Sequence, residues 1–210
     1  MNLPQEKRDE LEQKIEWFCT QYGFDPSRDI VEELDRIGFK VVTAKISDNV
    51  DGMILVDETR ESIAEYNSNK LIFVDERKDV FASRFIILHE LSHYIESKYE
   101  RMVHGDFGFP HVLVAERDHR VGYSSDAFEQ EKDYMAAALL LPFLPFKRKV
   151  YEYIFAQKKY TSYNQITEKD ILALKADKYF IFSIQLEYKV AEKLVIRRLT
   201  EINLTEKTVA

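Results

Sequence analysis

The chain holds a single cysteine, Cys19, in 210 residues. One thiol cannot build a disulfide framework, and in a helical context its simplest role is that of a small buried apolar residue. Glycine and proline are scarce, six and five respectively, which argues against a long linker. Long hydrophobic runs are missing too. Phe85 to Leu88 and Ala136 to Phe143 are the longest, far short of the ~20 residues that span a bilayer. The opening stretch MNLPQEKRDELEQK is charged and lacks the apolar segment of a signal peptide. These absences exclude a secreted disulfide scaffold and a membrane protein, and lead us to expect a cytoplasmic one. No internal repeat or low-complexity segment is visible.

What is present suits a globular chain. Hydrophobic residues make up 45%, and the length suffices for a core in one domain with a small appendage. The formal charge of −7 is unevenly spread. Residues 147–210 carry 13 Lys/Arg against 8 Asp/Glu, while residues 1–146 carry 17 against 29. A basic tail on an acidic body can touch nucleic acid or an acidic partner, but more often it is a solvated helix face.

The most informative stretch is Phe81 to Glu96, FASRFIILHELSHYIE. It contains His89-Glu90-Leu91-Ser92-His93, an H-E-x-x-H motif in a helical run. Residues four apart on a helix share a face, so His89 and His93 can offer two imidazoles to one metal ion. Glu90, one position on, can serve a water bound to that ion as a general base. Phe85, Ile86, Ile87, Leu88, Leu91 and Ile95 make the helix apolar nearly all round, hence buried. Burying Glu90 and two histidines without a partner would cost several kcal/mol, at about 2–7 kcal/mol per polar group.

Upstream, the pattern predicts helices over Gln5–Tyr22 and Arg28–Ile37, ended by Gly23 and Gly38. Strands are expected at Phe39–Ala44, Gly52–Val56, Ser62–Tyr66 and Lys70–Asp75, with Asn67-Ser68-Asn69 turning a hairpin between the last two. Residues 97–125 read as a long loop, with one short strand or helical turn near His111–Glu116. His104, His111, His119, Tyr94 and Tyr123 are candidates for stabilising a transition state, or, for the histidines, for extra ligation. Each also has a plainer reading as a locally bonded residue. Ser125 or Asp126 can cap a helix running to about Leu141 and stopped by Pro142. On it Glu129, Asp133, Ala136 and Leu140 share one face, and the alanines at 136–138 permit close packing on the motif helix. Glu129 is the favoured third ligand and Glu131 the rival. Asp133 is placed to accept the second N–H of a ligand histidine.

From about Ile30 to Pro142 the chain resembles the ImmA/IrrE metallo-endopeptidases. KLIFVDERKDVFASRFIILHELSHYI is similar to the family's strand, linker and Phe-x-x-A-H-E-x-x-H, with Leu88 where Ala is commoner. ERDHRVGYSSDAFEQ resembles its Arg-Asp and Ser-Ser segment. Glu129-x-x-x-Asp133-x-Met135-Ala136-x-x-Leu139-Leu140-Leu141-Pro142 resembles E-x-x-A-N-x-F-A-x-x-L-L-M-P. The departures are Lys132 for Ala, read as lying outside the ligand face, Asp133 for Asn and Met135 for Phe. Asp133 restores the E-x-x-x-D pairing of gluzincins.

The resemblance implies an α+β fold. It would be a zincin-like core with N-terminal helices, a small three- to four-stranded, mainly antiparallel sheet and the motif helix packed on a second ligand-bearing helix. That core is expected over residues 1–146. Residues 147–210 would form a mostly helical C-terminal segment resembling a degenerate helix-turn-helix. Zn2+, with Mn2+ as the alternative, would sit on His89, His93 and Glu129, with Glu90 as base and acid and Asp133 behind a ligand. The implied activity is site-specific cleavage of a helix-turn-helix repressor in a phage, mobile-element or stress-response circuit. The partner is then a protein, with no membrane and no direct nucleic-acid binding expected.

Two alternatives stand beside this one. A metal-binding regulator that binds a repressor or DNA without proteolysis would have a closed site, completed by His104, His111 or His119. A broad-range peptidase is the third. In the C-terminal segment Tyr179–Leu186 fits strand or helix, and Arg197 and Arg198 are read as the wet basic face of a packing helix in preference to a DNA contact.

Overall fold

The computed structural model describes residues 3–63, 65–105, 112–118 and 127–206. These form two compact units, Met1–Leu139 and Leu140–Ala210. The architecture is α+β, with eight α-helices and one four-stranded sheet among the described residues.

In the first unit, α1 (Gln5–Tyr22) ends at Gly23, whose φ of 61° supplies the left-handed C-cap. The second helix, α2 (Ile30–Arg36), starts later than its pattern suggests. Asp25 is spent on a local turn with Ser27, and Asp29 instead accepts from Val31 and Glu32 N–H. The strands β1 (Lys40–Ala44), β2 (Val50–Asp57), β3 (Lys70–Asp75) and β4 (Val112–Asp118) lie in the order β1-β3-β2-β4. β1 pairs parallel with β3, and β2 pairs antiparallel with β3 and β4.

The hairpin expected from Ser62–Tyr66 and Lys70–Asp75 does not form. Both edges of β3 are taken, by β1 and by β2. Among the described residues, the segment before it makes only an isolated bridge between Ile63 and Ser68. Asn67 turns the chain at φ 50°, and the N–H groups of Tyr66 and Asn67 both return to the Ile63 carbonyl. The short strand expected near His111–Glu116 is β4, an edge strand.

The long helix α3 (Val80–His104) opens on Asp79, which accepts from the Phe81 and Ala82 N–H groups at 2.9 Å, and closes at Gly105. Ile86 through Ile95 are all buried, as its all-round apolar character requires. It lies on β2, β3 and β4 and is flanked by α1. Helix α4 (Ala127–Leu140) carries Tyr134–Leu139 into the core.

The second unit comprises α5 (Phe143–Lys158), α6 (Glu168–Ala173), α7 (Lys178–Tyr188) and α8 (Glu192–Glu206). Tyr179–Leu186 is helical. Asp177 caps its start, and Phe180, Ile181 and Ile184 are buried with helical spacing. The reading of Arg197 and Arg198 as a wet face is corrected. Arg198 is fully buried, bonded to the Leu141 carbonyl at 2.9 Å and to Glu201 at 2.6 Å. Arg197 pairs with Glu201 at 3.0 Å. Desolvation of a guanidinium is tolerated because each finds an oxygen partner.

Candidate metal centre

The motif spacing of four puts His89 and His93 one turn apart on α3, with ring centroids 5.3 Å apart. On α4, Glu129 and Asp133 are likewise one turn apart and meet them. His89 Nδ1 is 2.9 Å from Asp133 Oδ1, and its Nε2 is 3.0 Å from Glu129 Oε2. His93 Nε2 is 3.8 Å from Glu129 Oε1. The nearest nitrogen and oxygen atoms of His89, His93 and Glu129 all lie within 4.8 Å of one another. His89, His93, Glu90 and Asp133 are buried, while Glu129 keeps a quarter of its side chain exposed.

The protons of this cluster determine what can fill it. Burial, then the neighbouring His89, push the His93 pKa down to about 3, so that imidazole is neutral. Its Nε2 is buried with no hydrogen-bond partner. The Asp133 carboxylate at Nδ1 favours the N–H there, and in the neutral form of His89 that leaves a lone pair on Nε2. The lone pair then faces a Glu129 oxygen at hydrogen-bond distance. Burial tends to raise the Glu129 pKa, but the His89 contact and the Lys132 ammonium are among the neighbours that outweigh it and hold it below the usual range. With neutral imidazoles, His89, His93 and Glu129 offer three electron-pair donors within reach of one cation. Tetrahedral bonds of ~2.1 Å put donors ~3.4 Å apart, and the observed 3.0 and 3.8 Å bracket that distance. The donors, two nitrogens and a carboxylate, fit zinc.

Residues 35–200 match the model of the peptidase M78 family, described as the IrrE N-terminal-like domain. The chain belongs to this family. A search of curated proteins finds no match to it. The M78 assignment makes the chain a member of a peptidase family with a His-His-Glu cluster compatible with a metal.

Other sequence candidates fare differently. Glu131 is turned away and pairs with Lys7 of α1 at 3.2 Å, because two helical steps rotate it about 160° from Glu129. Tyr94 is buried among Phe18, Tyr22 and Phe39, its ring 4.9 Å from that of Phe39, and burial raises its pKa. It is a core aromatic, where an oxyanion donor had been considered. His104 ends α3, eleven residues and so ~16 Å beyond His93; it is exposed and 3.3 Å from Glu100. His111, His119, Tyr123 and the expected caps Ser125 and Asp126 lie outside the described residues.

Three residues at the cluster escaped the sequence reading. Lys132 was placed off the ligand face, yet it is only about 60° round the helix from Glu129. It is fully buried, with its ammonium on Glu96 and 3.8 Å from the Phe128 ring centre. The exchange of Lys for the family's Ala was the available signal. Phe128 itself sits with its ring 5.6 Å from that of His93. Gly52 of β2 is the third. A Cβ there would stand 2.3 Å from Ile86 Cγ2 and 3.2 Å from Glu90 Oε1, so the bare backbone lets the strand approach Glu90. Polar and ring contacts between α3 and α4 run through Phe128, Glu129, Lys132 and Asp133.

Proposed function

We propose that this protein is a zinc-dependent endopeptidase that cuts a helix-turn-helix transcriptional repressor at a specific site, in a phage, mobile-element or stress-response circuit. Residues 1–146 are the catalytic core, and residues 147–210 are an accessory helical segment of degenerate helix-turn-helix type. The observation that carries the reading is the convergence of His89, His93 and Glu129, whose ligand atoms lie within 4.8 Å of one another.

His89, His93 and Glu129 hold the metal, and Asp133 fixes His89 by accepting from Nδ1. Zinc bound there would supply Lewis acidity toward a water and the scissile carbonyl. Glu90 follows His89 directly in the sequence, and it is fully buried, its Oε1 3.2 Å from where a Cβ on Gly52 would stand. Its carboxylate takes the proton of the attacking water as the C–O bond forms. It returns that proton to the amide nitrogen as the C–N bond breaks, so acid and base are one residue. The repressor as substrate rests on the family resemblance.

Purified protein reconstituted with zinc and incubated with the repressor encoded beside it should yield two fragments from one bond. Glu90→Gln should keep one zinc per chain and lose at least about 100-fold in rate, the low end for general acid–base catalysis. Normal cleavage by that variant would refute the mechanism.

A further inference from the structure

Phe128 is the residue before the proposed ligand Glu129, and its side chain has an unusual setting for a large apolar group. Half of it is exposed. Its ring is tilted 43° against that of His93, centroids 5.6 Å apart. The ammonium of Lys132 stands 3.8 Å from the ring centre. Lys132 is itself fully buried, a rare state for lysine unless it is paired. Its partner is Glu96, one turn beyond His93 on α3, and Glu96 is shared with Lys14 at 3.3 Å. Burial lowers the Lys132 pKa, and the Glu96 charge opposes that shift.

Each contact restricts the ring. A cation near the centre of an aromatic ring is held by the ring quadrupole, more strongly when desolvated. The cation cannot drift, because Glu96 anchors it. The imidazole contact limits rotation from the other direction. An exposed ring costs little to leave in water, but a fixed one beside a metal cluster offers a preformed apolar surface to whatever side chain arrives there.

We propose that Phe128 is a specificity-determining wall of the substrate site, which takes a large apolar side chain adjoining the scissile bond, and that Lys132 is the residue that positions it. This rests on the zinc-peptidase reading above. It predicts that the substrate carries an aliphatic or aromatic residue beside the cut.

The test needs no turnover and no known substrate. Two probes with the same metal-binding head, N-formyl-leucine hydroxamate and N-formyl-glycine hydroxamate, are titrated calorimetrically into the zinc-loaded full chain. The wild type should bind the leucine compound about tenfold more tightly. Phe128→Ala should abolish that preference while binding the glycine compound and zinc as the wild type does. Phe128→Leu should keep most of it. Lys132→Met should reduce it, with Glu96 still held by Lys14. A wild type without preference, or a preference that survives Phe128→Ala, would overturn the wall. If neither hydroxamate binds the zinc-loaded chain, the metal-centre reading fails, and this proposal with it.

Discussion

At the scale of single residues, the chain stabilises many of its buried charged groups by pairing them with a charge of opposite sign. Asp75, at the end of β3, shows the rule away from the metal cluster. Hydrogen bonds from the Arg77 guanidinium and backbone N–H hold its pKa down to about 2. The folded value lies below the ordinary carboxylate value of 3.8. Its contribution is therefore present above pH 3.8 and is lost as pH falls through about 2. Asp75→Asn should lower stability to urea at pH 7, and the gap from the wild type should shrink steadily below pH 4. A gap that stayed constant down to pH 2 would show that the pairing is not the cause. The cluster residues follow the same rule with one difference. His89 is matched by Asp133 and Glu129, whereas the His93 Nε2 beside them is buried without a hydrogen-bond partner, which is how a cation site differs from a salt bridge.

At the scale of elements, the pieces that announce themselves by local chemistry were legible in the sequence. The boundary of α1 was fixed by Gly23, and the motif helix by its apolar run. The pairing of the strands was not legible. The apolar run Leu71–Val74 marks Lys70–Asp75 as a strand, but it does not say that β1 will lie parallel beside it and exclude Ser62–Tyr66. Likewise Glu129 and Asp133 could be read from i, i+4 spacing, whereas Lys132 could not, because an ionised lysine is ordinarily assigned to water. Its burial depends on Glu96, and Lys14 of α1 adds a further contact to that acid. These are long-range partners that no local pattern reveals.

The approach of β2 to α3 at Gly52 is another such feature, and it gives a clear expectation. Gly52→Ala places a methyl 2.3 Å from Ile86 Cγ2, so the helix or the side chain must move. Overpacking of this kind costs about 1–3 kcal/mol. Denaturant titration should show a loss in that range, and peptide cleavage should fall further than stability alone explains, since Glu90 moves with the helix. Wild-type stability and wild-type cleavage together would mean that Ile86 simply rotates aside.

At the scale of the whole molecule, the family match covers residues 35–200 and so extends into both compact units. The cluster belongs wholly to the first, acidic unit, assembled from α3 and α4 across 40 residues of sequence. No described helix is long and apolar enough to cross a membrane. The second unit buries Arg198, the residue that a DNA-contacting reading of its last helix would need in solvent. A ligand that binds only the folded chain stabilises it in proportion to the logarithm of its excess over Kd, about 4 kcal/mol at 1,000 Kd. Zinc should act in this way on the whole cooperative unit that holds the cluster, so metal affinity reports folding and site geometry together.

The most direct test is zinc affinity, measured by competition with a chromophoric chelator, for the wild type, Glu129→Gln and Glu131→Gln. We predict one tight zinc per wild-type chain, binding weakened at least about tenfold by Glu129→Gln, and binding unchanged by Glu131→Gln, whose carboxylate is occupied by Lys7. A chain that takes up no zinc, or one whose affinity follows Glu131 and ignores Glu129, would contradict the account.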